Sequence, residues 1–287
     1  MLILGSTGML GQALIKTAEE NNVEVIGVAR SNADINLNVL SFEKLILLIR
    51  KTSPKTIVNC IAITDVDLCE ANVERAYLIN AHFVAILVDV CRELGIYLIH
   101  ISTDHFFIKD GKKQHSEKAP IVLVNNYAKT KYAGEQFALS YSNSLVIRTN
   151  IVGFRNTQKN TFVEWVLSAL KNKNKIILFQ DFYTSSIDVD SLSKILFKII
   201  FSSGKPIYGL VNIASSEVCS KSDFIKKLAH KFHYNNGNFH PGSIKSINGA
   251  KRAESLGLDV SKIEKLLDAT MPTTNDVVCS LYKNWVN

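Results

Sequence analysis

A tyrosine and a lysine four residues apart, Tyr127 and Lys131, stand within the segment NNYAKTKYAGEQFA. The alanines, Glu135 and Gln136 favour a helix, on which a four-residue spacing places both side chains on one face. A free phenol has a pKa of about 10, and a nearby ammonium stabilises the phenolate. The pair predicts a proton-transfer group that works near neutral pH, with an ordinary amphipathic helix as the alternative.

A glycine-rich turn, GSTGMLG at residues 5–11, follows a short apolar run and precedes residues at helical spacing. Strand, glycine turn and helix together predict a diphosphate site. The glycines let the backbone come close to the ligand, and the helix N-terminus directs N–H groups at its negative charge. A turn that merely joins a strand to a helix is the alternative.

The second predicted strand, residues 23–28, ends without the acidic residue that usually holds the ribose hydroxyls of NAD. Arg30 stands there instead, and a guanidinium can pair with a 2′-phosphate. The sequence therefore favours NADP, with NAD still open and a plain surface arginine as the alternative.

Strands and helices alternate along the first half of the chain, with strands predicted at residues 1–4, 23–28, 56–59, 96–101 and 145–149. This alternation predicts an α/β fold with a doubly wound parallel sheet, the Rossmann architecture. Ligands of such sheets bind outside the carboxyl ends of the strands. Gly5, Arg30, Ala62 and Thr103 are therefore expected at one rim.

After Asn150 the rhythm loosens, with helices predicted at residues 161–170, 189–201, 220–232, 261–267 and 275–285. Strands are predicted at 175–179 and 209–214, the latter returning to the main sheet. We predict a dinucleotide-binding domain at residues 1–155, rejoined by about 185–216. A smaller C-terminal α/β substrate-binding domain is predicted at 156–184 and 217–287.

The composition is that of a globular protein of 287 residues with a net charge of +7. The lysines are dispersed, which argues against nucleic acid, and a basic surface also suits a diphosphate substrate. No apolar run reaches the roughly 18 residues of a membrane helix, so a cytoplasmic protein without a membrane partner is expected. Five scattered cysteines without a CxxC pair argue against a metal site. His230 and His233 could share a helix face, but no third ligand at metal spacing accompanies them.

The glycine turn, Ser102-Thr103-Asp104 and Tyr127-x-x-x-Lys131, in this order, resemble the extended short-chain dehydrogenases/reductases. More narrowly, GSTGMLGQAL, NCIAITDVDLCE, ISTDHFF, YAKTKYAGE and RTNIVGF resemble the dTDP-4-dehydrorhamnose reductase group of nucleotide-sugar 4-keto reductases. These matches lie within about the first 155 residues. LFQDFYTSS and KRAESLGLDVSKI, in the C-terminal part, match loosely.

The resemblance implies that Tyr127 donates a proton, Lys131 holds the nicotinamide ribose and tunes Tyr127, and Thr103 bonds the reacting oxygen. Arg252 is similar to the arginine that meets the nucleotide-sugar diphosphate. The candidate cofactor residues are Gly5, Thr7, Gly8, Met9, Leu10, Gly11, Arg30, Asp34, Ile35, Cys60, Ile61, Ala62, Asn80, Ser102, Tyr127 and Lys131. The candidate substrate residues are Thr103, Asp104, His105, Asn150 and Arg252.

Three departures from the family pattern flank the implied sugar site. His105 stands in place of a tyrosine, Asn150-Ile151 in place of Ser-Trp, and Ala253 in place of a proline. The resemblance therefore leaves the identity of the sugar open.

The implied function is NADPH-dependent reduction of a nucleotide-linked 4-keto-6-deoxysugar, an oxidoreductase step of deoxysugar and polysaccharide biosynthesis. A nucleotide-sugar 4-epimerase or dehydratase with retained NAD is an alternative, although a dehydratase would carry a glutamate where His105 stands. A non-catalytic cofactor-binding subunit is another, and Thr103, Tyr127 and Lys131 argue against it. Family members often dimerise, so a homodimer is also among the expectations.

Overall fold

The computed structural model describes residues 1–155, 160–201, 206–234 and 237–286. The helices are α1 (Met9–Glu20), α2 (Phe42–Thr52), α3 (Val66–Ala71), α4 (Val73–Tyr77), α5 (Phe83–Leu94), α6 (Asn126–Leu139), α7 (Phe162–Lys171), α8 (Val189–Phe201), α9 (Lys221–Lys231), α10 (Ser261–Leu267) and α11 (Thr274–Val286), with a π-helical stretch (Leu78–His82) and a 3-10 turn (Ile244–Ser246). The strands are β1 (Leu2–Leu4), β2 (Ile26–Ala29), β3 (Ile35–Asn36), β4 (Thr56–Asn59), β5 (Tyr97–Ile101), β6 (Ser144–Arg148), β7 (Ile151–Val152), β8 (Ile176–Phe179), β9 (Tyr183–Thr184), β10 (Ile187–Asp188), β11 (Gly209–Asn212), β12 (Cys219–Ser220), β13 (Phe239–Gly242) and β14 (Ser255–Leu256).

The main sheet has seven strands in the order β11-β6-β5-β4-β1-β2-β3. All neighbouring pairs from β6 to β3 are parallel, and Leu2 of β1 lies opposite both Ile26 and Ile57. The central strands are runs of apolar residues, because helices cover both faces of a parallel sheet. The predicted doubly wound α/β fold is confirmed, as is the return of the 209–214 segment to this sheet.

Two compact units divide the chain. The first comprises residues 1–103, 123–148 and 193–211, and the second comprises 104–122, 149–192 and 212–287. The loop 104–122, between β5 and α6, thus belongs to the second unit although its neighbours on both sides belong to the first. The predicted assignment of cofactor and sugar to separate domains stays a prediction.

Each unit has its own apolar core. In the first, strands β1, β4 and β5 pack against α2 and α5 through residues that include Leu4, Ile49, Ile57, Leu87 and Leu98. In the second, α7, α9 and α11 pack with β8 through residues that include Val166, Ile176, Phe224, Leu228 and Val277. No helix within the described ranges is long and apolar enough to cross a membrane.

The π-helical stretch of residues 78–82 lies between α4 and α5. Helix α5 ends at Leu94, because Gly95 adopts a left-handed conformation at φ +67°. Helix α3, capped by the Asp65 carboxylate accepting from Leu68 N at 3.1 Å, was not predicted.

One expectation for the C-terminal part is wrong. His233 does not share a helix face with His230, because α9 ends at Lys231 and His233 has a φ of +62°. Strand β13 follows and pairs with β8 in parallel. Residues 235 and 236 lie outside the described residues.

Candidate active site

Helix α6 carries the predicted proton-transfer pair. Its N-cap is Asn125, whose side chain accepts a hydrogen bond from Ala128 N at 2.7 Å. Tyr127 lies in the first turn and Lys131 in the next, with exposures of 8% and 2%. The Tyr127 side chain packs beside Cys69 and Ala76, so only a small part of it is accessible. The helix predicted for this segment is confirmed.

Lys131 is held at the carboxyl end of β5. Its Nζ donates to the carbonyl oxygen of Ile101 at 2.6 Å. Burial lowers the pKa of Lys131 to about 8, while Glu135 and Cys60 act in the opposite direction. The side chain therefore remains mostly an ammonium at neutral pH. The residue whose carbonyl it contacts, Ile101, stands two positions before Thr103 in the chain.

A buried ion pair fixes α6 against the ends of β5 and β6. Glu135 is fully buried, accepts from Ser102 Oγ at 2.8 Å and pairs with Arg148 at 2.6 Å between Oε1 and Nη2. A second bond joins Arg148 Nε to the other carboxylate oxygen at 3.0 Å. Neither Glu135 nor Arg148 was predicted as a site residue, although Glu135 stands four residues after Lys131 on the same helix.

The glycine turn forms a close-packed cradle between β1 and α1. Gly5 has a φ of +86° and its N donates to Val28 O at 2.8 Å. A Cβ on Gly11 would lie 2.2 Å from Gly5 O, and one on Gly8 3.1 Å from the same atom. Residues Thr7, Met9 and Leu10 lie within this turn and the start of α1.

The first turn of α1 is suited to an anion. Gly8 is its N-cap, so no side chain caps the helix, and the first turn contains no acidic residue. Its N–H groups therefore remain available to a negatively charged ligand. The cradle thus fits the diphosphate of a dinucleotide.

Three candidate adenosine-site residues follow β2. Arg30 is exposed just beyond the strand, and Ile35 begins β3. Asp34 faces back to β2, since its Oδ2 accepts from Gly27 N at 2.7 Å. The assignment of Arg30 to a 2′-phosphate stays a prediction.

The loop after β4 contains Cys60, Ile61 and Ala62 and is shaped by the buried Asn80. Asn80 Oδ1 accepts from Ile63 N at 2.8 Å, and its Nδ2 donates to Ile63 O at 3.0 Å. A further bond joins Nδ2 to Thr130 Oγ1 at 3.2 Å. Asn80 therefore ties this loop to α6, because its amide is committed to both.

In the second unit, Asp104 is buried near Lys221, which was not predicted as a site residue. Burial lowers the pKa of Lys221 to about 8, and the Asp104 carboxylate opposes that shift. Lys221 Nζ also lies 4.2 Å from the centroid of the Phe162 ring. No local signal singles out Lys221, because it looks like an ordinary first residue of α9.

His105 and Arg252 lie near each other in the second unit. Burial and, secondarily, the Arg252 charge lower the pKa of His105 to about 4, so its ring is neutral at pH 7. Arg252 Nη1 donates to Ala250 O at 2.8 Å. The third candidate, Asn150, accepts from Ser186 Oγ at 2.6 Å.

Arg252 lines a cavity of about 610 Å³ within the second unit, a size typical of small-molecule sites. Its charged lining comprises four cations and two carboxylates, namely Lys109, Lys245, Lys251, Arg252, Asp181 and Glu254. Asp181 is engaged by Ser243 Oγ and by Ile244 N. The excess of cations suits a phosphorylated ligand.

The structure brings the candidate residues together in separate groups. In the first unit, Tyr127 and Lys131 share helix α6, and Ser102 bonds Glu135 of the same helix. The glycine turn and the loop after β4 also follow strand ends of this unit. The substrate candidates from Asp104 onward belong to the second unit. Within the residues that the structure describes, no three His, Cys, Asp or Glu side chains are grouped to hold a metal ion.

Residues 1–285 match the family model described as RmlD substrate binding domain. This chain belongs to that family. The membership confirms the resemblance carried by the sequence motifs.

Relatives of this RmlD-family chain include two named proteins. It is 30% identical over 233 residues to dTDP-4-dehydrorhamnose reductase of Aggregatibacter actinomycetemcomitans, covering 78% of this chain and 76% of that protein. It is 27% identical over 274 residues to methionine adenosyltransferase 2 subunit beta of Xenopus laevis, covering 92% and 81%.

The RmlD-family fold is also seen in a crystal structure of dTDP-4-dehydrorhamnose reductase from Bacillus anthracis in complex with NADP. The TM-score is 0.88 at 24% identity, covering 99% of this chain and 98% of that one.

Proposed function

We propose that this chain is an NADPH-dependent reductase of a nucleotide-linked 4-keto-6-deoxysugar. The observation that carries the proposal is the position of Lys131, one turn after Tyr127, with its Nζ 2.6 Å from Ile101 O at the strand end that leads to Thr103. Membership of the RmlD family and the name of the Aggregatibacter relative support the substrate class. The NADP bound to the Bacillus anthracis reductase supports the cofactor.

NADPH, when bound, supplies the hydride that reduces the keto carbon. Tyr127 gives its phenolic proton to the carbonyl oxygen as that oxygen gains charge, and Thr103 holds the same oxygen by a hydrogen bond. The Lys131 ammonium favours the phenolate that Tyr127 leaves behind. During this transfer the ion pair of Glu135 and Arg148 holds α6 against the ends of β5 and β6.

The cofactor is held by the glycine cradle and the first turn of α1 in this proposal. Gly5, Gly8 and Gly11 accommodate the diphosphate, and Arg30 pairs with the 2′-phosphate. The loop after β4, shaped by Asn80, contacts the middle of the cofactor.

The nucleotide sugar is held by residues of the second unit. The diphosphate binds in the basic cavity at Arg252, and Asp104, His105 and Asn150 contact the sugar. A cytoplasmic location and a homodimeric state belong to the same proposal. Light scattering of the purified protein tests the second of these.

The decisive experiment replaces Tyr127 by phenylalanine. Tyr127→Phe removes the proton donor and is expected to lower kcat by a factor of at least ~100, with NADP affinity within about twofold of wild type. The matched control is Tyr132→Phe on the same helix, expected to keep wild-type turnover. Wild-type turnover in Tyr127→Phe would refute the proposed role.

The substrate is tested by following NADPH oxidation with thymidine-, guanosine- and cytidine-linked 4-keto sugars. Oxidation with one of these supports a reductase. Tightly bound NAD without net consumption of NADPH would instead indicate a 4-epimerase or a dehydratase.

A cofactor-binding regulatory subunit is the second candidate, favoured by the similarity to methionine adenosyltransferase 2 subunit beta over 92% of this chain. The intact set of Thr103, Tyr127 and Lys131 favours catalysis, because a purely regulatory subunit needs no proton donor. Binding of NADP without turnover of any tested sugar would favour the regulatory function.

A further inference from the structure

His115 lies in the loop between β5 and α6 and is almost fully buried, at 2% exposure. Its Nδ1 is 2.9 Å from Gly257 O, and its Nε2 is 3.0 Å from Asp110 Oδ2. A carbonyl oxygen and a carboxylate oxygen are both acceptors. A neutral imidazole has only one N–H, so only the protonated ring can donate to both.

An aromatic ring and a carboxylate contact the imidazole of His115. Phe107 stacks on it with ring centroids 4.0 Å apart and an interplanar angle of 6°. Asp110 is the carboxylate in contact with the ring, and Lys113 Nζ lies 3.6 Å from that carboxylate.

Two carboxylates on the segments next to His115 are engaged with other groups. Glu117 accepts from Asn212 N at 2.9 Å, and the Asp259 carboxylate accepts from Ser261 N at 2.9 Å. His115 itself is anchored through its backbone, because its N donates to Gly257 O and its O accepts from Asp259 N. The ring is therefore fixed to the 257–259 segment and reaches Asp110 from there.

Asp110 stands in the chain between two residues of the cavity wall. Its chain neighbours Lys109 and Gly111 both line that cavity. Asp110 N donates to Ser255 Oγ at 2.9 Å, and Lys109 N donates to Glu254 Oε1 at 2.9 Å. The bond from His115 to the Asp110 carboxylate thus closes the turn that presents Lys109 to the cavity.

We propose that protonated His115 is a positioning residue that holds the 109–111 wall of the cavity in its binding conformation, so that affinity for a nucleoside diphosphate group falls as pH rises. The inference rests on the proposed function only in taking that group as the ligand. It does not require that the protein reduce a sugar.

The direction of the pH effect follows from the two acceptors. While the ring is protonated, both nitrogens donate, and the Asp110 carboxylate accepts because its bond with His115 lowers its pKa and keeps it ionised. Once the ring has lost a proton, one nitrogen presents a lone pair to an oxygen, and that bond is lost.

The test measures binding of dTDP-glucose by calorimetry at about pH 6 and pH 8. The diphosphate of this probe is a diester and keeps the same charge at both values. Wild type is expected to bind about fivefold more weakly at the higher pH, in line with loss of one charged hydrogen bond at a partly exposed site. His115→Gln, which cannot become cationic, is expected to bind equally at both pH values and as weakly as wild type at pH 8.

His230→Gln, on an exposed position of α9, is the matched control and is expected to keep the wild-type pH dependence. The NADP affinity of each variant should stay at the wild-type value, since the candidate cofactor residues lie in the other unit. Far-ultraviolet circular dichroism checks that each variant is folded. An equal loss of affinity with pH in His115→Gln, or no binding of dTDP-glucose at either pH, would overturn the inference.

A second measurement is independent of any ligand. In protein with ¹⁵N-labelled histidine, the signals that disappear in His115→Gln identify this ring. Two protonated nitrogens at about pH 6 support the inference, and a singly protonated ring at that pH would overturn it. Because neither readout involves turnover, failure of the reductase assignment leaves both interpretable.

Discussion

Lys131 is a cation that the fold keeps away from water and satisfies with a backbone carbonyl. Its pKa is lowered to about 8 because burial penalises the charged form more than Glu135 and Cys60 stabilise it. A shift of this size near a tyrosine is typical of groups that take part in proton transfer. The pKa of Lys131 is therefore close to neutral pH, so a modest rise in pH removes its charge.

The lowered pKa of Lys131 predicts a pH dependence. The ammonium is fully present below about pH 8 and is lost above it, so kcat should fall as pH rises through that value, measured from about pH 6 to 10. The free energy of unfolding should instead rise with pH between about 8 and 10.5, because the unfolded chain binds more protons than the folded chain in that range. A kcat that stays constant up to about pH 10 would contradict the role assigned to Lys131.

The Glu135–Arg148 pair predicts a stability change. Glu135→Ala leaves Arg148 buried without its anion and should lower the free energy of unfolding by about 3–5 kcal/mol in urea titrations. The control is Glu93→Ala, which breaks an ion pair with Arg50 at a site 54% exposed. That change should cost at most about 1 kcal/mol. Similar losses in both variants would contradict a special role for the buried pair.

At the scale of single residues, the sequence predicts contacts between residues that are close in the chain. Tyr127 and Lys131 are four residues apart, so helical geometry alone brings them together. Glu135 with Arg148, and Asp104 with Lys221, are brought together by tertiary packing, which no spacing in the sequence reveals. The same holds for the contact of the His115 ring with Gly257 O, which together with Asp110 gives the ring two acceptors.

Helix α6 and the π-helical stretch 78–82 form the packed pair that positions Tyr127. Gly134 of α6 lies against the backbone of Asn80, where a Cβ would be 2.0 Å from the carbonyl oxygen. The Asn80 side chain bonds Thr130 of the same helix at 3.2 Å. The close approach of the two helical segments therefore depends on a glycine.

Gly134→Ala should separate these two segments. The added methyl cannot be accommodated against a backbone oxygen, so we expect a loss of at least about 2 kcal/mol in unfolding free energy and a reduced kcat. Gln136→Ala, at an exposed position two residues further along α6, should leave both quantities near wild type. Unchanged stability in Gly134→Ala would show that the helices can move apart at little cost.

Elements with strong local signals were predicted closely. β4 and α8 have the predicted limits, and α7 starts after Thr161, whose side chain and that of Glu164 form a capping box. The two-residue strands such as β7, β9 and β12 were not predicted, because they exist only through pairing with partners distant in the chain. The π-helical stretch was not predicted either. It packs against Gly134 of α6, and this tertiary contact cannot be inferred from the apolar pattern of residues 73–94.

For the whole molecule, the fold class and the family were predictable from the alternation of strands and helices and from the order of the three motifs. The division into units was less so. Residues 104–122 join the second unit through bonds such as Ser255 N to Phe107 O at 3.2 Å, which link positions far apart in sequence. Net charge alone did not locate the basic cavity, because its cations come from separate segments.

Three segments of each unit alternate along the chain. A gene fragment that stops before codon 209 therefore encodes a main sheet without β11, with the hydrogen-bonding edge of β6 uncovered. Such a fragment should aggregate through that edge when expressed alone. Recombination with a related gene at any single internal breakpoint would likewise produce a hybrid with foreign residues in at least one core. On the proposed function, point substitutions around the cavity therefore change substrate preference more readily than exchange of halves does.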